Sequence, residues 1–240
     1  MPALAFYIDA PMQSWGASSK FQYRETNPFP TKSALVGVIA AALGIDKHGA
    51  DEATSLQSIV DLKLTVVRLD RSTKKASRFT DFHTVGGGYN KNRSLWDKMS
   101  IPQKASGAPF GTVITRRSYL SDTTFAAILE GHAESLQHVQ AALLDPTWGV
   151  WFGRKTCLPA SPLTPTIGAD RQLALNALLD FLPNHAPVPL DQLEYQEELE
   201  AGTEIDGSFH QSDQPIAFGQ HHGSVPAAYR ARAIRQHRPT

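Results

Sequence analysis

Between two strand-like runs, the chain carries more than thirty residues, 78–111, that follow no single period. They read "RFTDFHTVGGGYNKNRSLWDKMSIPQKASGAPFG". A compact domain rarely holds a structureless connection of that length unless the segment is functional or projects from the core. The flanking elements must therefore build the core by themselves, with 78–111 inserted into it. The insertion opens like a strand and passes through three glycines, 86–88. It then interleaves Lys91, Arg93, Lys98 and Lys104 with Tyr89, Trp96 and Met99.

The elements on either side are more regular. "ALAFYI" at 3–8 is a short apolar run that predicts a buried strand. "TKSALVGVIAAALGI" predicts a helix capped by Thr31 and stopped by Gly44, with Leu35, Ile39 and Leu43 on one face. Its other positions are mostly small, so it packs closely, against a sheet. "LKLTVVRLDR" alternates as a strand. "TVITRRSYL" and "TTFAAILEG" read as two more strands, separated by the turn-like pair Ser121-Asp122. "AESLQHVQAALLD" is a second helix with Leu136, Val139 and Leu143 inward, ended by Pro146. The order β-α-β-insertion-β-β-α is a ferredoxin-like split βαβ lacking a visible closing strand. Beyond Pro146 come the Gly/Pro-punctuated "TWGVWFGRKTCLPASPLTPTIG" and a helix in "RQLALNALLDFLP". An acidic hairpin in "LEYQEELEAGTEIDG" is expected to turn near Ala201-Gly202. "AAYRARAIRQH" reads as a last strand with a basic face. The expected class is α+β. The ferredoxin-like core spans 1–77 and 112–165, the hairpin insertion 78–111, and a β-rich extension with a small hairpin 166–240.

Net charge is zero, but its distribution is uneven. Residues 63–117 hold twelve Lys/Arg against three Asp, residues 170–213 ten Asp/Glu against one Arg, and residues 229–240 four Arg and no acid. Such asymmetry points to an anionic ligand on one surface. The single cysteine, Cys157, excludes an intrachain disulfide framework. No apolar run reaches the roughly 18 residues that cross a bilayer, and the N-terminus lacks the pattern of a secretory signal. A soluble, cytoplasmic protein is expected.

Several constellations bear on chemistry. The nine histidines show no metal-ligand spacing. The "GGG" lacks the phosphate-loop spacing. Lys32 and Ser33 stand at a helix N-terminus, where free N–H groups attract phosphate; a simple cap with a solvated lysine fits equally. Cys157 has no local base signal and reads as a buried thiol. His83, with Tyr89, Lys91 or Arg93 nearby, is the one set that suits a metal-independent ribonuclease; a packed histidine is the plainer reading. The strongest constellation joins basic and aromatic groups: Arg116-Arg117 with Tyr119, Arg154-Lys155 after Gly153, and the insertion with Tyr89, Lys91 and Arg93. Cations neutralise phosphates and aromatic rings stack on bases, so single-stranded RNA suits this mixture. Core packing is the alternative for Trp148, Trp151 and Phe152.

"APMQSWG", "FPTKSALVGVIAAALGI", "DFHTVGGG", "TRRSYLSDTTFAAIL" and "WFGRKTCLPASPL" occur in this order over roughly residues 1–165. In these motifs the chain resembles the CasD-type subunits of type I-E CRISPR Cascade complexes, within the RAMP superfamily. The resemblance implies a RAMP fold, an RRM-like core with 78–111 as an inserted thumb, and a non-catalytic role in antiviral defence, with no cofactor or metal. It implies a subunit that grips the 5′ handle of a CRISPR RNA, caps the backbone filament and lies near the large subunit, reaching target DNA only through the assembly. Carried over, the handle surface comprises Gln13, Trp15, Gly16, Lys32, Ser33, Arg116, Arg117, Arg154 and Lys155, with Tyr89, Lys91 and Arg93 on the thumb. The thumb here carries an additional "SIPQKASGAPF". The rival reading is a metal-independent endoribonuclease that processes precursor CRISPR RNA. A free RRM-like module is a third, weakened by the missing RNP-type aromatic run.

Overall fold

The computed structural model describes residues 1–16, 22–70, 77–85, 94, 113–183, 185–203, 205–219 and 229–239. The elements run β1 (Ala3–Gln13), β2 (Tyr23–Arg24), α1 (Lys32–Leu43), α2 (Glu52–Val60), β3 (Lys63–Arg68), β4 (Ser77–Val85) and β5 (Val113–Glu130). They continue with α3 (Ala133–Leu144), β6 (Thr166–Gly168), α4 (Arg171–Phe181), a 3-10 turn (Leu190–Gln192), β7 (Tyr195–Glu198), β8 (Ser208–Pro215) and β9 (Tyr229–His237). All strands join one sheet of order β6-β1-β5-β3-β7-β9-β8, with β2 and β4 pairing β5 off this path.

The path β6-β1-β5-β3 is the ferredoxin-like order, and the chain is α+β as its pattern predicts. The closing strand absent from the sequence reading is β6, only three residues long, antiparallel to β1 through Ala3↔Gly168 to Ala5↔Thr166. Helix α2 was also not anticipated.

Period-2 alternation in β1 divides the core. Leu4, Phe6 and Ile8 face a cluster built with Leu35 and Ile39 of α1, Leu56 of α2 and Leu136 of α3. Ala3, Ala5 and Tyr7 face a second cluster with Leu175, Leu178 and Leu179 of α4. Both faces of the central sheet are thus covered, the second by a helix beyond the motif-bearing region. Thr31 accepts from the Ala34 N–H and Gly44 closes α1 in the left-handed region at φ 72°, as its capping residues predict.

Two expectations are corrected. Residues 113–131 do not form two strands with a turn at Ser121-Asp122. They form one 18-residue strand, β5, in which Asp122 sits at φ 52°. The register places Asp122 opposite Pro11, since Ala10 pairs Thr123 and Met12 pairs Ser121. Proline offers no N–H there, and aspartate is among the few non-glycine residues that tolerate the left-handed region, so the ladder runs on past the kink. The acidic segment is not a hairpin either. The chain turns at Ala201-Gly202, but β7 pairs β3 and β9, and β8 pairs β9 rather than β7. Arginines on β9 draw it between the acids of β7 and β8, as the ion pairs below show.

Strand β5 is long because it serves two parts. Phe125–Glu130 pair β3, while Val113–Ser121 pair β4 across the base of the insertion.

Candidate nucleic-acid interface

The upper half of β5 forms a three-stranded ribbon with β4 on one side and the two-residue β2 on the other. Arg116 and Arg117 lie opposite Tyr23 and Arg24 of β2, in parallel, and opposite Phe82 and Asp81 of β4. Alternation places Arg116 with Tyr23 and Phe82 on one face, and Arg117 with Thr115 and Tyr119 on the other. Arg116 donates to the Tyr23 hydroxyl at 2.7 Å. Arg117 donates through Nε to Thr115 Oγ1 at 3.0 Å.

A loop after α3 closes one side. Phe152 is buried against Trp15, with ring centroids 5.9 Å apart. Gly153 follows at φ 99°, and a Cβ built on it would lie 1.8 Å from the Ser14 carbonyl oxygen. Only glycine allows this approach. Cys157 turns the loop back through a backbone hydrogen bond to Arg154; it is buried, and burial raises its thiol pKa above the ordinary value. Arg154 then reaches over the ribbon. It donates to the Ser118 and Arg24 carbonyls at 3.1 and 2.8 Å, with its guanidinium 4.6 Å from the Tyr119 ring centroid. Lys155 is exposed, its ammonium 5.6 Å from the Trp151 ring centroid.

Between this loop, β2 and the start of α1 lies a cavity of about 590 Å³. Arg24, Arg117 and Arg154 line it with Gly16 and Ser33, Tyr229 borders it, and Glu25 is the one acidic residue among its described lining. The volume suits a nucleotide-sized ligand.

The sequence-derived residues separate. Gly16, Ser33, Arg117 and Arg154 meet at the cavity, Arg116 and Lys155 stand on adjoining surface, and Tyr89, Lys91 and Arg93 lie outside the described residues. Three side chains are corrected. Gln13 and Trp15 are fully buried: Gln13 bonds the Thr123 carbonyl at 2.5 Å and accepts from the Trp15 indole N–H at 3.1 Å. They build the floor under the loop. Lys32 is 3% exposed, its ammonium 2.8 Å from both Glu198 carboxylate oxygens. Burial pushes its pKa below the usual lysine value despite that partner. Its backbone N–H donates to Asp213 at 2.8 Å, so the protein's own carboxylate occupies the helix N-terminus, for which a phosphate and a solvated cap are equal readings of the sequence.

Sequence reading missed Tyr23, Arg24 and Phe82. "FQYRETNPFP" gave too short a run to call a strand, although its adjacent Tyr-Arg was a signal. His83 is half-exposed, with Nδ1 4.0 Å from Asp81. No cluster of three metal-ligating side chains occurs among the described residues, and no described helix is long and apolar enough to cross a membrane.

The arginines fall into two classes. Arg68, Arg171, Arg232, Arg235 and Arg238 are paired with carboxylates. Among the described residues, Arg24, Arg78, Arg116, Arg117, Arg154 and Arg230 have no carboxylate within salt-bridge range; Arg24, Arg116, Arg117 and Arg154 meet at this ribbon and loop, while Arg78 lies on β4 and Arg230 near the start of β9.

The family model described as CRISPR-associated protein (Cas_Cas5) matches residues 3–221. The CRISPR system Cascade subunit CasD of Escherichia coli (strain K12) is 31% identical over 168 residues, covering 67% of this chain and 68% of that protein. A chain of a CRISPR RNA-guided surveillance complex superposes with TM-score 0.69 at 28% identity, over 98% of this chain and 88% of its own. A crystal structure of a Cas protein shares the fold at TM-score 0.56 and 23% identity, over 98% and 93% of the two chains.

Proposed function

Because the chain belongs to the Cas5 family of CRISPR-associated proteins, we propose that it is a non-catalytic RNA-binding subunit of a Cascade-type surveillance complex, acting in the cytoplasm. It grips the 5′ handle of the guide RNA and caps the backbone filament beside the large subunit. Its thumb, 78–111, reaches the neighbouring backbone subunit. Target DNA is met through the guide's base pairing rather than by this chain, whose task is to hold the guide by backbone and shape.

One observation carries the reading: Arg24, Arg117 and Arg154, none of which has a carboxylate in salt-bridge range among the described residues, line one nucleotide-sized cavity. Guanidiniums without a carboxylate partner suit phosphates. His83 has Asp81 near it but no described second base, and here it anchors the thumb rather than cleaving RNA.

The test is the RNA content of the complex purified with its partner subunits. Arg24→Ala combined with Arg117→Ala is expected to lower guide retention, read from the 260/280 absorbance ratio and extracted RNA. Unchanged RNA content would remove this site assignment. Incubation with precursor repeat RNA in EDTA is expected to give no product; cleavage abolished by His83→Ala would replace the binding role by an endoribonuclease.

A further inference from the structure

The outer face of the ribbon holds a row of flat groups that the cavity does not use. Tyr23, Arg116 and Phe82 occupy one register line across β2, β5 and β4. Neighbouring strands lie about 4.8 Å apart, so the row spans roughly 10 Å. The Arg116 guanidinium is 5.3 Å from the Tyr23 ring centroid and 4.9 Å from that of Phe82. Both rings face solvent, at 52% and 62% exposure. A single exposed ring needs no explanation. Two rings flanking a cation that has no carboxylate in salt-bridge range among the described residues form a flat, positively charged patch. On the same face, Thr80 Oγ1 and Ser118 Oγ stand 3.4 Å apart, and Ser118 donates to Glu25 at 3.3 Å. Polar donors and acceptors thus border the flat row.

We propose that Tyr23, Arg116 and Phe82 form a stacking platform for unpaired bases of single-stranded RNA. The occupant follows from the chemistry of the row. A protein partner would bury an unpaired guanidinium at a desolvation cost. Nucleobases instead offer a π-face to each ring and to the guanidinium plane, and their phosphates neutralise the cation. An RRM stacks bases on its open sheet face, but α4 covers that face here. The ribbon displaces the stacking surface from the core sheet to the base of the thumb. The proposal deepens the RNA-binding reading and rests on it.

Photocrosslinking of the full chain to a single-stranded RNA carrying 5-iodouridine, followed by peptide mapping, tests it without any substitution. An adduct on Tyr23 or Phe82 is expected. Tyr23→Leu with Phe82→Leu replaces two exposed rings and leaves the core intact, which an unchanged thermal midpoint verifies. That variant should lose roughly tenfold or more in affinity for the same RNA, the range of one or two base–ring stacks, with an unchanged salt dependence. If it binds RNA like the wild type while Arg24→Ala/Arg117→Ala does not, the platform is overturned and the cavity reading stands. If RNA affinity persists but the variant fails to assemble with its partner subunits, the face is a protein contact and the platform is likewise overturned. If the wild-type chain shows no RNA affinity and its complex carries no RNA, the underlying reading fails.

Discussion

Gly153 and Lys32 show how local residue chemistry sets the site. Gly153 combines a left-handed φ with a backbone approach no side chain tolerates. Gly153→Ala is expected to cost more than about 1 kcal/mol, seen as a lower urea midpoint, and to loosen Arg154, the next residue of the loop. Lys32 teaches the opposite lesson. Its sequence setting, a cation at a helix start, reads equally as a phosphate contact or a solvated cap; nothing nearby in sequence announces that Glu198 and Asp213 will cover it from 166 and 181 residues away. Lys32→Met should therefore leave guide retention unchanged, whereas Arg117→Ala lowers it. In stability, Lys32→Met should cost only on the order of 1–2 kcal/mol. Glu198 keeps the Leu64 N–H and nearby Arg232 as partners, and burying the ammonium is itself unfavourable. Asp213→Ala should cost more, about 3–5 kcal/mol, because it strips a buried guanidinium and the first N–H of α1 at once. Urea unfolding of the two variants, side by side, gives the ranking.

Elements were legible where periodicity was strong and short-range. β1, α1, β3, α3 and α4 follow directly from apolar spacing and caps. β6 and β2 were not legible, because strands of three and two residues exist only through their partners. The kink at Asp122 misread as a turn has the same cause: turn-forming residues predict a reversal unless strands on both sides hold the ladder together, and β1 and β4 do so. The C-terminal strand order depends on charge. Glu197 lies between Arg171 and Arg235. Burial opposes its ionisation, but hydrogen bonds from both arginines outweigh that and hold its carboxyl below the usual glutamate range. A carboxyl lowered on folding stabilises the fold above its unfolded value, about 4.3, and the contribution disappears as pH falls through the lower folded value. Thermal melts from pH 6 to pH 3 should show the wild type losing its advantage over Glu197→Gln below about pH 4. A gap between them independent of pH would show that the pair does not control this edge of the sheet.

At the scale of the whole molecule, zero net charge conceals an internal cancellation. The acidic 170–213 segment and the basic tail looked like separate signed surfaces in the sequence. In the fold they meet: Glu194, Glu197, Glu198 and Asp213 take up Arg232, Arg235 and Arg238. Long-range pairing of this kind has no local signature, which is why the tail's basic face could not be discounted beforehand. In the basic middle Arg68 pairs with Asp70 and Glu194, but Arg116 and Arg117 have no carboxylate in salt-bridge range among the described residues, so the asymmetry that pointed to an anionic ligand survives at the ribbon. This yields a prediction about counterions. Each phosphate neutralised on a single strand contributes about −0.7 to the slope of log K against log salt. Arg24→Ala and Arg117→Ala should each make that slope shallower by about 0.7 and weaken binding to all sequences alike. Arg238→Ala, in the exposed tail beside Glu194, should leave the slope unchanged. Titrating the full chain with one single-stranded RNA at several salt concentrations measures all three. A slope change on Arg238→Ala equal to that of Arg117→Ala would mean the tail's cations still reach phosphate and that the internal neutralisation does not divide the two surfaces.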